Sequence, residues 1–136
     1  METIITEYQD NLRTRATHVE SGYQLITDVP KEHGGQGETF TPTDLFVASL
    51  VSSMLSVMGG VARKPEFNGS IDGLQARTTK TMRQNPHSVA ELVIEFDMPK
   101  NNYTDEQKQA LEAADRNSQV GKSLNDNLKQ TLIFNY

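Results

Sequence analysis

The sequence predicts an α+β fold with a mainly antiparallel sheet, in a single domain spanning residues 1–136. Three observations carry this. Strand-like stretches open the chain, one long apolar helix follows, and a hairpin, a second helix and a closing strand complete it. Strands and helices are therefore segregated rather than alternating, the order expected of α+β architecture. A chain of 136 residues suits one compact domain and can bury a core without disulfides or metals. No linker and no second composition regime interrupts it.

Residues 3–29 read as strands joined by turns. Leu12, Thr14 and Ala16 alternate with Arg13, Arg15 and Thr17, Glu20-Ser21-Gly22 makes a turn, and Tyr23 to Thr27 is extended again. Pro30 to Phe40 reads as a loop containing Gly34, Gly35 and Gly37. A flexible connection is the favoured reading; a lid over a nearby site is the alternative. Thr41-Pro42-Thr43-Asp44 is a helix start, with Thr41 as cap, Pro42 at the first helical position and an acid three residues after the cap. The helix is expected to run to Arg63 or Lys64, with Pro65 and Gly69 marking the exit.

Leu45 to Ala62 is uncharged over eighteen residues, the lower edge of membrane-span length. Its four serines and two glycines favour a buried central helix instead. Being apolar nearly all round, it is expected to be enclosed. The small residues Ala48, Ser49, Ser52, Ser53, Ser56, Gly59 and Gly60 would admit a second copy of the same helix. Residues 70–98 read as a hairpin turning at Gln84-Asn85-Pro86-His87. In its second arm Ala90, Leu92, Ile94, Phe96 and Met98 face one way, and Val89, Glu91, Val93, Glu95 and Asp97 the other, the pattern of a half-buried strand. Thr104-Asp105-Glu106-Gln107 carries a capping-box pattern, and Leu111 and Ala114, with Ala110 and Ala113, give that helix a short apolar face. A break with a helical turn follows over Asn117 to Asn127. Leu128, Gln130, Leu132, Phe134 and Tyr136 then alternate in a closing strand.

Composition excludes several functions. The net charge is −5 and the basic residues are scattered, so a phosphate backbone finds no cationic surface and nucleic-acid binding is not expected. With no cysteine there is no disulfide, no thiolate metal site and no cysteine nucleophile. The N-terminus lacks the basic region of a signal peptide, so the expected location is the cytoplasm, without membrane attachment. His18, His33 and His87 are far apart and lack ligand spacing; no metal and no cofactor is expected. Gly121-Lys122-Ser123 resembles the end of a phosphate-binding loop, but Arg116 stands where that loop needs glycine. His33-Gly34-Gly35-Gln36-Gly37 resembles an oxyanion-hole loop, yet no Gly-x-Ser-x-Gly elbow accompanies it.

Three segments together resemble the OsmC/Ohr family. They are Leu12 to His18 with Leu25 to Pro30; Phe40 to Phe46 running into Ser52 to Gly59; and Asn117 to Leu124. Their order and spacing agree over nearly the whole chain. The resemblance implies an OsmC-like fold, with curved sheet around a long central helix, assembled as an intertwined homodimer with its site at the interface. Active members of that family reduce organic hydroperoxides with two cysteines, the first activated by an arginine and an acid. Carried across by resemblance, the helix cysteine falls on Ser53 and the late cysteine on Ser118. The activating acid falls on Thr43, with Asp44 beside it, and the arginine on Arg13 or Arg15.

The departures decide the expected function. Peroxide reduction needs a thiolate that becomes sulfenic acid, and cysteine supplies it because its pKa of about 8.5 can be lowered by a neighbouring cation. A serine hydroxyl has no such redox ladder, so the peroxidase centre is expected to be lost. The expected protein is a non-catalytic binder of a small apolar ligand, lipid-like in character, at the dimer-interface pocket. Phe46, Met54 and Met58 would form the apolar wall, although ordinary core packing is the favoured reading for each of them individually. For Ser53 and Ser118 themselves, serines that merely fill space are the favoured reading, with a pocket lined by the two hydroxyls and an arginine as the functional one. An inherited stress-linked hydroperoxide reductase and a non-redox enzyme built on Asp44, Ser53 and Arg13 or Arg15 are the alternative functions.

Overall fold

The structure, a computed structural model, describes residues 1–136. It divides into two compact units, Met1–Phe46 and Val47–Tyr136.

The first unit is a three-stranded antiparallel sheet, β1 (Ile4–Tyr8), β2 (Thr14–His18) and β3 (Gln24–Thr27), in that spatial order. Gly22 makes the β2–β3 turn with φ 75°, where a side chain would be strained. The loop after β3 contains a 3-10 turn at Lys31–His33. The glycine content predicted a flexible connection, but the loop is tied down. Gly37 donates to Val29 O, Gly35 donates to Pro30 O, and a Cβ on Gly35 would collide with the Val29 carbonyl. The glycines serve close backbone approach here. The unit ends in the first turn of the long helix α1 (Pro42–Ala62). That turn is closed reciprocally: Asp44 N donates to Thr41 Oγ1 at 3.1 Å, and Thr41 N donates to Asp44 Oδ2 at 3.3 Å.

The second unit takes most of α1 and adds a second sheet. Strands β4 (Gln75–Gln84) and β5 (His87–Asp97) form the predicted hairpin, with a register shift between Thr81 and Met82. Leu92, Ile94, Phe96 and Met98 are buried, the face the alternation assigned to the core. Helix α2 (Asp105–Glu112) starts with the predicted capping box on Thr104 and Gln107. Two short helices, α3 (Ala114–Asn117) and α4 (Gln119–Lys122), fill the expected break. The closing strand β6 (Lys129–Asn135) pairs with β5 in parallel, with Ile94 opposite Leu132 and Phe96 opposite Phe134. That is the single departure from antiparallel pairing, made possible because α2, α3 and α4 carry the chain back along the sheet.

From α1, the core of this unit receives Val47, Leu50, Val51, Met54 and Met58. The helix is not enclosed all round in the single chain. Ser49, Ser52, Ser56 and Gly60 are exposed. Their spacing of three and four residues places them on one stripe. An apolar composition raises the expectation of burial, but small residues offer little area to bury on that side.

Candidate functional site

Helix α1 presents Ser53 near its midpoint, one residue before the buried Met54. Ser118 lies in the kink between α3 and α4, extended at φ −67° and ψ 121°, where it caps α4. A helix cap favours a short side-chain oxygen that can accept from the first-turn amides. Ser118 Oγ accepts from Gly121 N at 3.0 Å and donates to Ser53 Oγ at 2.8 Å. Ser118 is wholly buried and Ser53 partly so. Two hydroxyls 65 residues apart in sequence are thus hydrogen-bonded to each other within the second unit. Chemically, this pair can donate and accept protons in hydrogen bonds. It carries no sulfur and no titratable base.

The other site candidates of the second unit, Met54 and Met58, are core residues, 1 % and 0 % exposed. Met54 and Met58 follow the i, i+4 spacing of the buried face of α1, and that face is filled by packing.

In the first unit, the antiparallel register places Arg15 opposite Glu7 and Ile26, and Arg13, two residues earlier, belongs to the same face. The two arginines differ in what holds them. Arg15 Nη2 is 3.5 Å from the exposed Glu7 Oε2. Arg13 Nη2 is 3.5 Å from Asp28 Oδ2 and 3.7 Å from Glu38 Oε2. The Nε of each arginine is buried without a hydrogen-bond partner. Phe46 is partly buried. Thr43 and Asp44 contribute to the helix start, Thr43 Oγ1 lying 3.1 Å from Thr41 Oγ1 and Asp44 closing the cap.

Asp28 is the residue that sequence reasoning missed. Its carboxylate is fully buried and accepts backbone N–H bonds from Val29 (2.7 Å), Glu38 (3.0 Å) and Gln36 (3.4 Å). These bonds, those of Glu38 and Val29 foremost, hold its carboxyl below the usual carboxylate value against the opposing effect of burial, and Arg13 lowers it further. The charge of Arg13 is therefore already matched by Asp28 and Glu38. The one available signal was an acid at a strand end just before a glycine-rich loop, which is a common turn pattern and does not announce burial. No group of three metal-ligating side chains is present.

Comparison with known proteins bears on both units. The family model for OsmC-like protein matches residues 35–132. A structure from Psychrobacter arcticus 273-4, described as an osmotic stress induced and detoxification response protein, is 34% identical, with a TM-score of 0.91; the match covers 98% of this chain and 96% of that one. The organic hydroperoxide resistance protein OsmC of Legionella pneumophila is 15% identical, with a TM-score of 0.76 over 100% of this chain and 98% of its own. An organic hydroperoxide resistance protein of Vibrio cholerae, with captopril bound in one of its active sites, is 16% identical, with a TM-score of 0.74 over 99% and 92%. The last two likenesses establish the fold alone. No curated protein sequence matches the chain.

Proposed function

Because the chain belongs to the OsmC-like family, we propose that it is a member without peroxidase activity, a cytoplasmic homodimer that binds a small apolar ligand in an interface pocket bordered by Ser53 and Ser118. The observation that carries this reading is the Ser118–Ser53 hydrogen bond of 2.8 Å in a chain without cysteine. Two groups that the family resemblance pairs across 65 residues do lie together, and both are oxygen.

The chemistry follows from that substitution. In thiol-based peroxide reduction, a thiolate sulfur attacks the O–O bond, the alkoxide leaves and takes a proton, and the sulfur becomes sulfenic acid. A second thiol then attacks that sulfur, expels water and closes a disulfide. Each step moves an electron pair from sulfur. A hydroxyl oxygen has no corresponding oxidised states, so neither the first nor the second step has a donor here. Of the two arginines the resemblance offers, Arg13 is paired with Asp28 and Glu38 and Arg15 with Glu7.

Support for the homodimer comes from what the single chain leaves uncovered. Ile4, Tyr8 and Leu25 on the first sheet are 59%, 67% and 42% exposed, and the register places all three on one face. Apolar area of this kind marks an interaction surface. The exposed Ser49–Ser52–Ser56–Gly60 stripe of α1 allows close backbone approach of a partner helix. Two measurements test the proposal. Purified protein with a dithiol reductant is expected to consume cumene hydroperoxide no faster than buffer. Native mass spectrometry is expected to show a dimer carrying an apolar adduct, and a fatty-acid panel to raise its Tm. Catalytic turnover would overturn the loss of peroxidase function; a ligand-free dimer with no thermal shift would overturn the binding role.

A further inference from the structure

The second unit has a concavity of about 540 Å³ that involves neither serine. Its volume falls within the range of small-molecule sites. We propose that this concavity is a separate binding site for a small apolar molecule bearing an ammonium group, such as an aromatic amine or an apolar amino acid.

The walls are fixed by specific contacts. Phe67 sits in the turn after α1, yet it is 6 % exposed and its ring lies 6.4 Å from that of Tyr103. The Gln107 side chain joins the two sides of the concavity: its Oε1 accepts from Thr104 N at 2.8 Å, and its Nε2 donates to Phe67 O at 2.7 Å. Asn68 is left-handed, at φ 53°. A Cβ on Gly69 would come within 3.1 Å of both Gln107 Nε2 and the Phe67 ring. The turn is thus committed to one shape, which is what preorganises a site.

The lining sets the class of ligand. Val61, Phe67 and Ala110 provide apolar surface. Lys64, Glu66 and Glu106 are the charged groups, so the lining carries a net charge of −1. An anion would meet two carboxylates against one ammonium. A cation can pair with Glu66 or Glu106 while its apolar body lies along the surface that Val61, Phe67 and Ala110 contribute. An amino acid adds a carboxylate that Lys64 can meet.

The test uses the full chain and four probes of the same shape: phenethylamine, phenylalanine, phenylacetate and ethylbenzene, titrated by NMR with Phe67 and Ala110 as reporters. Shifts are expected for phenethylamine or phenylalanine, with at least fivefold weaker binding in Glu66→Gln/Glu106→Gln. Ala110→Trp, checked for an unchanged fold by circular dichroism, is expected to abolish them. Tighter binding of phenylacetate or ethylbenzene, or no shift with any probe, would overturn the proposal, as would shifts unaffected by either variant.

Discussion

The two units solve the problem of folding differently. All thirteen buried hydrophobic residues lie in Val47–Tyr136, and none in Met1–Phe46. The first unit buries only Thr27 and Asp28, both polar, and is organised by hydrogen bonds around the Asp28 carboxylate. Most of its large apolar side chains, Ile4, Ile5, Tyr8, Leu25 and Ile26 among them, are exposed instead. A contiguous apolar face left exposed marks an interaction surface. The contrast therefore bears on the proposed dimer more directly than any one residue does: the second unit carries its own core, and the first leaves apolar side chains exposed.

Core deletion in the second unit should have the largest effect. Phe96 is 1 % exposed and stacks on Phe134 at 4.8 Å. Phe96→Ala should cost about 3–5 kcal/mol in urea unfolding. Ser118→Ala should come next, at about 1–3 kcal/mol, because it leaves Gly121 N–H without its acceptor and removes the bond to Ser53. In the first unit, Tyr8→Ser with Leu25→Ser should hardly change unfolding of the monomer. The same pair should raise the dimer dissociation constant at least tenfold, about 1.4 kcal/mol, by sedimentation. If that double variant instead unfolds the monomer, the contrast between the units is wrong.

Acid titration sharpens the same contrast with a smaller effect. Asp97 is pushed down to about 2, chiefly by its hydrogen bonds from Arg77 (2.6 Å) and Asn135 (3.0 Å). A depressed carboxyl contributes stability above its unfolded value, near 4, and loses it as pH falls through the folded value. Stability should therefore decline between about pH 4 and pH 2, and Asp97→Asn should flatten that part of the profile. Asp28 acts in the same direction in the first unit. Asp28→Asn should speed amide exchange at Gln36 and Glu38, whose N–H groups it anchors, and leave exchange in β5 unchanged.

Much of the local structure in both units could be read from residue pattern. The reciprocal caps at Thr41 and Thr104, and the alternation from Leu92 to Met98, are written in residue types at fixed spacing, and each appears where expected. Other features depend on long-range contacts and could not be read. The parallel pairing of β6 depends on where a crossover delivers the strand, and the burial of Asp28 on how a loop folds back over it. The one-sided burial of α1 had a signal in the spacing of Ser49, Ser52, Ser56 and Gly60, but composition alone concealed it. Nothing local links Ser53 to Ser118. Their pairing was legible only through family resemblance, and the geometry places them 2.8 Å apart. The choice between Arg13 and Arg15 was open in the sequence because both share one face; a buried carboxylate now distinguishes Arg13.

The most direct test compares the natural chain with Ser53→Cys/Ser118→Cys in one alkyl-hydroperoxide assay, following peroxide loss and free thiols together. The natural chain should stay at the buffer rate, while the double variant should consume peroxide and lose its two thiols to an intrachain disulfide. Turnover by the cysteine-free chain, or two introduced thiols that stay reduced beside peroxide, would contradict that expectation.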